Sequence, residues 1–173
     1  MMRIPYLLYI SLLILHACHV PHEGRPQSST QDATRIILVR HAEKQQGDNP
    51  ALTTEGSARA HRLAFMLNDV PVDAIFSSDF LRTRQTAAPL ATAKGLETQL
   101  YNHKELPALV KVIEKDYKGK TVVVVGHSNS TPTLAGLLNP SYLPAEIDEA
   151  DYSNVFIITL APNGKHHTMR LRF

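Results

Sequence analysis

Ile36-Ile37-Leu38-Val39-Arg40-His41-Ala42-Glu43-Lys44 is an apolar, β-branched run that ends abruptly in Arg-His. The run predicts a buried strand, Arg35 to Val39. The first side chains past its end are a guanidinium and an imidazole. In open α/β sheets, ligands bind just outside the carboxyl ends of the strands. The segment therefore sets a cation and a nucleophile-capable ring where a site is expected, and the rest of the chain must supply their partners.

Working outward, the clearest second strand is Thr121 to Val125, five residues of which four are Val. Such a run suits burial on both faces. Shorter strands are predicted at Val72 to Ser77 and Glu97 to Tyr101. Helical spacing of Ala60, Leu63, Ala64 and Leu67 predicts a helix from Thr54 to Asn68. Further helices are expected over Phe80 to Lys94, closed by Gly95 and kinked at Pro89, and over Leu106 to Tyr117. Thr131-Pro132 reads as an N-cap and first helical residue, with the helix reaching Leu138. Val155 to Leu160 and His166 to Arg172 form a closing hairpin around Pro162-Asn163-Gly164. Strands alternating with helices imply a three-layer α/β/α sandwich on a mainly parallel sheet.

Three segments that follow strand ends carry polar groups: Arg40-His41, Ser77-Ser78-Asp79-Phe80-Leu81-Arg82-Thr83-Arg84-Gln85-Thr86, and Gly126-His127-Ser128-Asn129. Together they offer two imidazoles and at least two guanidiniums without an acidic metal cluster, so no metal and no cofactor are expected. Arginine forks match phosphate oxygens, and a neutral imidazole is a competent nucleophile near pH 7.

On these residues the chain resembles the histidine phosphatase superfamily, with its phosphoglycerate-mutase-like fold. The family's Arg-His-Gly signature stands here as Arg40-His41-Ala42, its Leu-Thr-x-x-Gly segment as Leu52 to Gly56, and its Ser-x-x-x-Arg-x-x-x-Thr segment as Ser78 to Thr86. Its second histidine after an apolar strand stands as His127. The resemblance implies that His41 attacks phosphorus and becomes the phosphohistidine. It implies that Arg40, Arg82 and His127 bind the phosphoryl oxygens, with Ser128 and Asn129 adding hydrogen bonds. It also implies a carboxyl that protonates the leaving oxygen, for which Glu105 is the candidate. A small phosphorylated substrate follows, with specificity in the loops Gln45 to Ala51 and Asn139 to Tyr152. The absence of a large insertion suggests an open phosphatase rather than a lidded mutase.

Two rival readings stand beside this one. Gly126-His127-Ser128-Asn129-Ser130 approaches the Gly-x-Ser-x-Gly elbow of serine hydrolases, with Asp148 or Asp151 and His166 or His167 as partners. That reading leaves Arg40, His41 and Arg82 without a task. A lipid-anchored module that binds a phosphorylated ligand without turnover is the other. Of the nine histidines, His61, His103, His166 and His167 are expected on surfaces or loops. Arg84 is expected at a rim or in a structural role.

The 173 residues suffice for one domain with a real core, and the net charge of +2 gives no reason to invoke nucleic acid. Arg3 followed by apolar Ile4 to Leu15 reads as a signal peptide over residues 1–17. Leu15-His16-Ala17-Cys18 resembles a bacterial lipobox, with His16 as its departure, and Cys18 is the chain's single cysteine. The expectation is an exported, lipid-anchored protein of the bacterial cell envelope. The polar stretch to Thr34 would be a linker, and residues 35–173 the phosphatase domain.

Overall fold

The computed structural model describes residues 33–173. The apolar leader, Cys18 and nearly all of the expected linker lie outside them. In chain order the elements are β1 (Thr34–Arg40), α1 (Thr54–Met66), β2 (Ala74–Ser78), α2 (Leu81–Lys94), β3 (Thr98–Tyr101), α3 (Leu106–Asp116), β4 (Thr121–Gly126), α4 (Ser130–Leu138), β5 (Asn154–Leu160) and β6 (His167–Arg172). The strands form one sheet in the order β3-β2-β4-β1-β5-β6. The first four of these run parallel. β5 adds to β1 antiparallel, and β6 closes the edge as the hairpin partner of β5.

Strand alternation builds two cores, one on each face of the sheet. Ile36 and Leu38 of β1, with Phe76, Val122 and Val124, meet Leu109 and Ile113 of α3 and Leu134 and Leu138 of α4. Ile37 and Val39, with Ile75, Val123 and Val125, meet Leu63 of α1 and Ala87 and Leu90 of α2. Leu63, Leu90 and Ile113 are wholly buried, and burial of such side chains contributes roughly 1.5–3 kcal/mol each. All six residues of β4 are buried, as the valine run requires.

Two local motifs have plain physical causes. Thr53 caps α1, its hydroxyl accepting from the Gly56 amide at 3.0 Å, and a Cβ on Gly56 would collide with the Glu43 carbonyl. Gly95 ends α2 in the left-handed region, φ 63°, as its position in the sequence predicts.

Some boundaries differ from expectation. α1 stops at Met66, and β2 begins at Ala74 rather than Val72. α4 begins at Ser130, not after Thr131, and its capping side chain is Asn129, which accepts from the Ser130 amide at 2.7 Å. Pro132 is thus the third helical residue. Amides of the first turn have no partner within the helix, so proline fits there as well as at the first position.

Candidate active site

The topology explains why the conspicuous side chains meet. β1 and β4 are neighbours, yet their following helices leave on opposite faces, α1 on one and α4 on the other. Such a divergence opens a crevice at the strand ends. The β1–β4 register pairs Arg40 with Gly126, and the His41 amide bonds the Gly126 carbonyl at 2.9 Å. The next residue of each strand is a histidine. The two rings stand edge-on with centroids 5.5 Å apart. They line a cleft of about 310 Å³ together with Lys44, Phe80, Arg82, His103, Ser128, Asn129 and Glu149.

Both imidazoles are buried, and their hydrogen bonds assign opposite tautomers. His41 Nδ1 lies 2.8 Å from the Ala42 carbonyl. A carbonyl only accepts, so Nδ1 carries the proton and Nε2 keeps the lone pair. Burial, seconded by the charges of Arg40, Arg82 and Lys44, pushes His41 down to about 4. The ring is neutral at pH 7 and its lone pair is available. His127 Nδ1 lies 3.4 Å from an Arg82 Nη. A guanidinium only donates, so here Nδ1 accepts, and Nε2–H donates to Ser78 Oγ at 2.9 Å. Ser78 passes its own proton to Thr83 Oγ1 at 3.1 Å. Burial and the Arg82 charge push His127 down to about 3.

The Ser-x-x-x-Arg-x-x-x-Thr pattern has a part in each of these contacts. Ser78 ends β2 and orients His127. Arg82, in the first turn of α2, reaches the same ring and stacks on Phe80, 4.5 Å from its centroid. One turn on, Thr86 Oγ1 accepts from the Ala42 amide at 3.0 Å and donates to the Arg82 carbonyl at 2.8 Å. Arg82 and Thr86 thus share a helix face, one serving each histidine.

Arg40 is almost fully buried under the loop that precedes β5. One Nη donates to the backbone carbonyls of Asp148 (3.0 Å), Glu149 (2.8 Å) and Asp151 (3.3 Å). The other bonds the Glu149 carboxylate at 3.0 Å. Tyr152 covers the guanidinium at 4.2 Å and approaches His41, ring centroids 5.8 Å apart. Arg40 Nε and Arg82 Nε are buried without a hydrogen-bond partner among the described residues. Burial, then the charge of Arg40, lowers the pKa of Arg82. Two cations held this close call for an anion between them.

Arg40, His41, Arg82, His127, Ser128 and Asn129 therefore gather at one place. Glu105 does not join them: it precedes α3 at the N-cap position, exposed and outside the cleft lining. Arg84 turns outward to Asp79 at 2.9 Å, both exposed. The hydrolase triad does not assemble. Ser128 lies in the cleft and donates to Glu149, whereas His166 lies beside Thr34 and Leu160, at the opposite end of β1. The Asp151 carboxylate is taken by Ser153 and Arg172.

Three neighbours of the site are not singled out as individual residues by the sequence, although two of them lie in the expected specificity loop Asn139 to Tyr152. His103 stands 5.5 Å from His127 and 5.2 Å from Phe80, centroid to centroid. It follows the end of β3, so the strand-end rule was the signal available for it. Glu149 and Tyr152 come from an irregular loop more than 100 residues along the chain from Arg40, with no local signal. Among the described residues no group of three or more acidic, histidine or cysteine side chains is arranged to hold a metal ion.

Residues 36–107 match the model of the histidine phosphatase superfamily, branch 1. No curated protein matches the chain. Solved structures share its fold. The protein histidine phosphatase SixA, complexed with tungstate, is 19% identical, with a TM-score of 0.66 over 80% of this chain and 96% of that one. A mycobacterial hydrolase is 16% identical, with a TM-score of 0.66 over 79% and 97%. A phosphoserine phosphatase from Entamoeba histolytica, in complex with 3-phosphoglyceric acid, is 18% identical, with a TM-score of 0.62 over 81% and 97%. At these identities the likeness is one of fold.

Proposed function

We propose that the protein is a phosphatase of the histidine phosphatase superfamily that hydrolyses phosphomonoesters or related phosphorylated compounds through a phosphohistidine on His41. The observation that carries the reading is the contrast between the contacts of the two imidazoles, a backbone carbonyl at one and Ser78 and Arg82 at the other, in one cationic cleft. His41 presents a bare Nε2, fixed by the Ala42 carbonyl on its other nitrogen. Arg82 contacts the His127 ring, and Arg40 Nε is buried without a partner among the described residues. The three equatorial oxygens of a transferring phosphoryl group need this kind of neutralisation.

The steps follow from the donors. His41 Nε2 attacks phosphorus as the bond to the leaving oxygen breaks. Arg40 and Arg82 take the charge that gathers on the phosphoryl oxygens. His127 Nδ1 turns its lone pair to Arg82, so a phosphoryl oxygen bound at Nδ1 requires that nitrogen to take up a proton. The dianion favours this uptake, because it offsets the arginine charges that, after burial, hold the ring neutral. Water then attacks the phosphohistidine, the P–N bond breaks, and inorganic phosphate leaves.

In the same proposal the substrate is small, and Cys18 carries a lipid that holds the domain at the cell envelope; replacing Cys18 with Ala would then release the protein from membranes, and a variant still sedimenting with them would end that part. The mechanism is tested by His41→Ala. Turnover of phosphorylated metabolites should fall by at least about a thousandfold, and an acid-labile, alkali-stable phosphoryl label present on the wild type should vanish. Tight phosphate binding with no turnover by the wild type would favour a binding module instead. Surviving activity in His41→Ala would exclude the mechanism.

A further inference from the structure

Resting on the phosphatase reading, we propose that Glu149 is the residue that protonates the leaving oxygen and later takes the proton from the attacking water. Among the described residues it supplies the only carboxylate lining the cleft that holds His41 and His127. It also borders a second groove of about 510 Å³, which shares Ser128, Asn129 and Glu149 with the cleft. A phosphoryl group beside His41 would direct its leaving group toward that groove, past this carboxylate. Glu105, the alternative carboxyl, is exposed at the start of α3 and lines neither space.

The contacts of Glu149 divide its backbone from its side chain. One Nη of Arg40 holds the loop through the carbonyls of Asp148, Glu149 and Asp151. The other Nη holds only the carboxylate. The carboxylate can leave the guanidinium while the loop stays docked. Its position favours the exchange: the Glu149 side chain is 80% exposed over an Arg40 side chain that is 1% exposed. A phosphoryl oxygen reaching that Nη must take the place of the carboxylate. Ser128 Oγ, bonded to the other carboxylate oxygen, keeps the displaced group at the mouth of the cleft.

The proton balance closes. The Ser128 hydrogen bond, and then the Arg40 charge, hold Glu149 below the usual carboxylate range. A phosphoryl dianion on Arg40 takes away the guanidinium's share of that support and adds a like charge, and both changes favour proton uptake by the carboxyl. When His41 Nε2 forms its bond to phosphorus and the P–O bond breaks, the carboxyl gives this proton to the leaving alkoxide. The carboxylate then accepts a proton from water as water's oxygen attacks phosphorus and the P–N bond breaks. One ester and one water become one alcohol and one phosphate.

The test is Glu149→Gln, assayed on p-nitrophenyl, phenyl and ethyl phosphates. Proton donation matters little for a leaving group that departs as a stable anion and much for an alkoxide. The loss in kcat/KM, which reports transfer to His41 and not the later attack of water, should be less than about threefold on p-nitrophenyl phosphate and at least about a hundredfold on ethyl phosphate. The variant should still form the phosphoryl label on His41 from the activated ester. Equal losses of kcat/KM on all three esters, or no loss on any, would overturn the assignment. So would the same leaving-group dependence in Glu105→Gln and not in Glu149→Gln. A variant with lower KM and unchanged kcat on every ester would show Glu149 to be a counter-ion alone, and would also overturn it. A wild type that neither hydrolyses any ester nor labels on His41 is a different failure, that of the phosphatase reading.

Discussion

His41 and His127 occupy equivalent positions, each one residue past a buried parallel strand and one rung beyond the Arg40–Gly126 pair. Both are buried and both are held neutral, at about 4 and about 3. Their difference lies in what the second nitrogen touches. His41 spends its proton on its own backbone, the Ala42 carbonyl. His127 spends its proton on another strand, at Ser78, and turns its lone pair to Arg82. The first arrangement leaves Nε2 with its lone pair free. The second ties the ring into a network spanning β2, α2 and β4, suited to holding an oxygen in place. Strand-end position makes a histidine available, and the hydrogen bond on its far nitrogen selects its task.

That contrast can be broken at His127. If the ring stabilises charge without forming a bond to phosphorus, His127→Ala should lower kcat by about 10²–10³-fold. It should still accept a phosphoryl label on His41 from a reactive donor such as phosphoramidate. Loss of the label would make the two histidines equal partners in the covalent step and abolish the distinction.

A smaller effect sharpens it. Both histidines bind protons less readily in the folded chain than in the unfolded one, whose imidazoles titrate near 6.5. Stability from this source is complete above about pH 6.5. It falls as pH drops, because the unfolded state takes up the protons. The loss levels off near pH 4 for His41 and nearer pH 3 for His127. Urea midpoints measured from pH 7 to pH 5 should therefore decline for the wild type and decline less steeply for His127→Asn and His41→Asn. Identical slopes in all three proteins would show that neither ring is held neutral.

The two halves of the sheet also differ in how far they could be read. The parallel half was legible because burial on both faces forces long apolar runs, and each run ends at a polar group. β1, β4 and the residues past them follow from that alone. The Ser78–Thr86 segment was legible as a pattern, though its reasons emerge only from contacts. Ser78 and Arg82 serve His127, and Thr86 serves the amide beside His41. The Asn139–Tyr152 loop was marked as a place for specificity, yet Glu149 within it carried no periodicity and no spacing to a partner. Glu105 is near a strand end in sequence, and it faces solvent at the head of α3. The start of α4 shifted because Asn129, Ser130 and Thr131 can each cap a helix. Asn129 supplies the cap, while Ser130 Oγ accepts from the His127 amide and Thr131 Oγ1 donates to the Val39 carbonyl.

By itself the sequence determined the alternation of strands and helices, the identity of the two imidazoles and the two guanidiniums, and the strand ends that carry them. Periodicity and burial are properties of neighbours along the chain, so they are written there. Only the tertiary structure decided which nitrogen of each ring is free, which arginine is buried, and which carboxylate stands at the cleft. Those depend on hydrogen bonds between groups as much as 109 residues apart, such as Arg40 and Glu149. Their partners are chosen by strand order and by the path of a loop, and no local pattern records either.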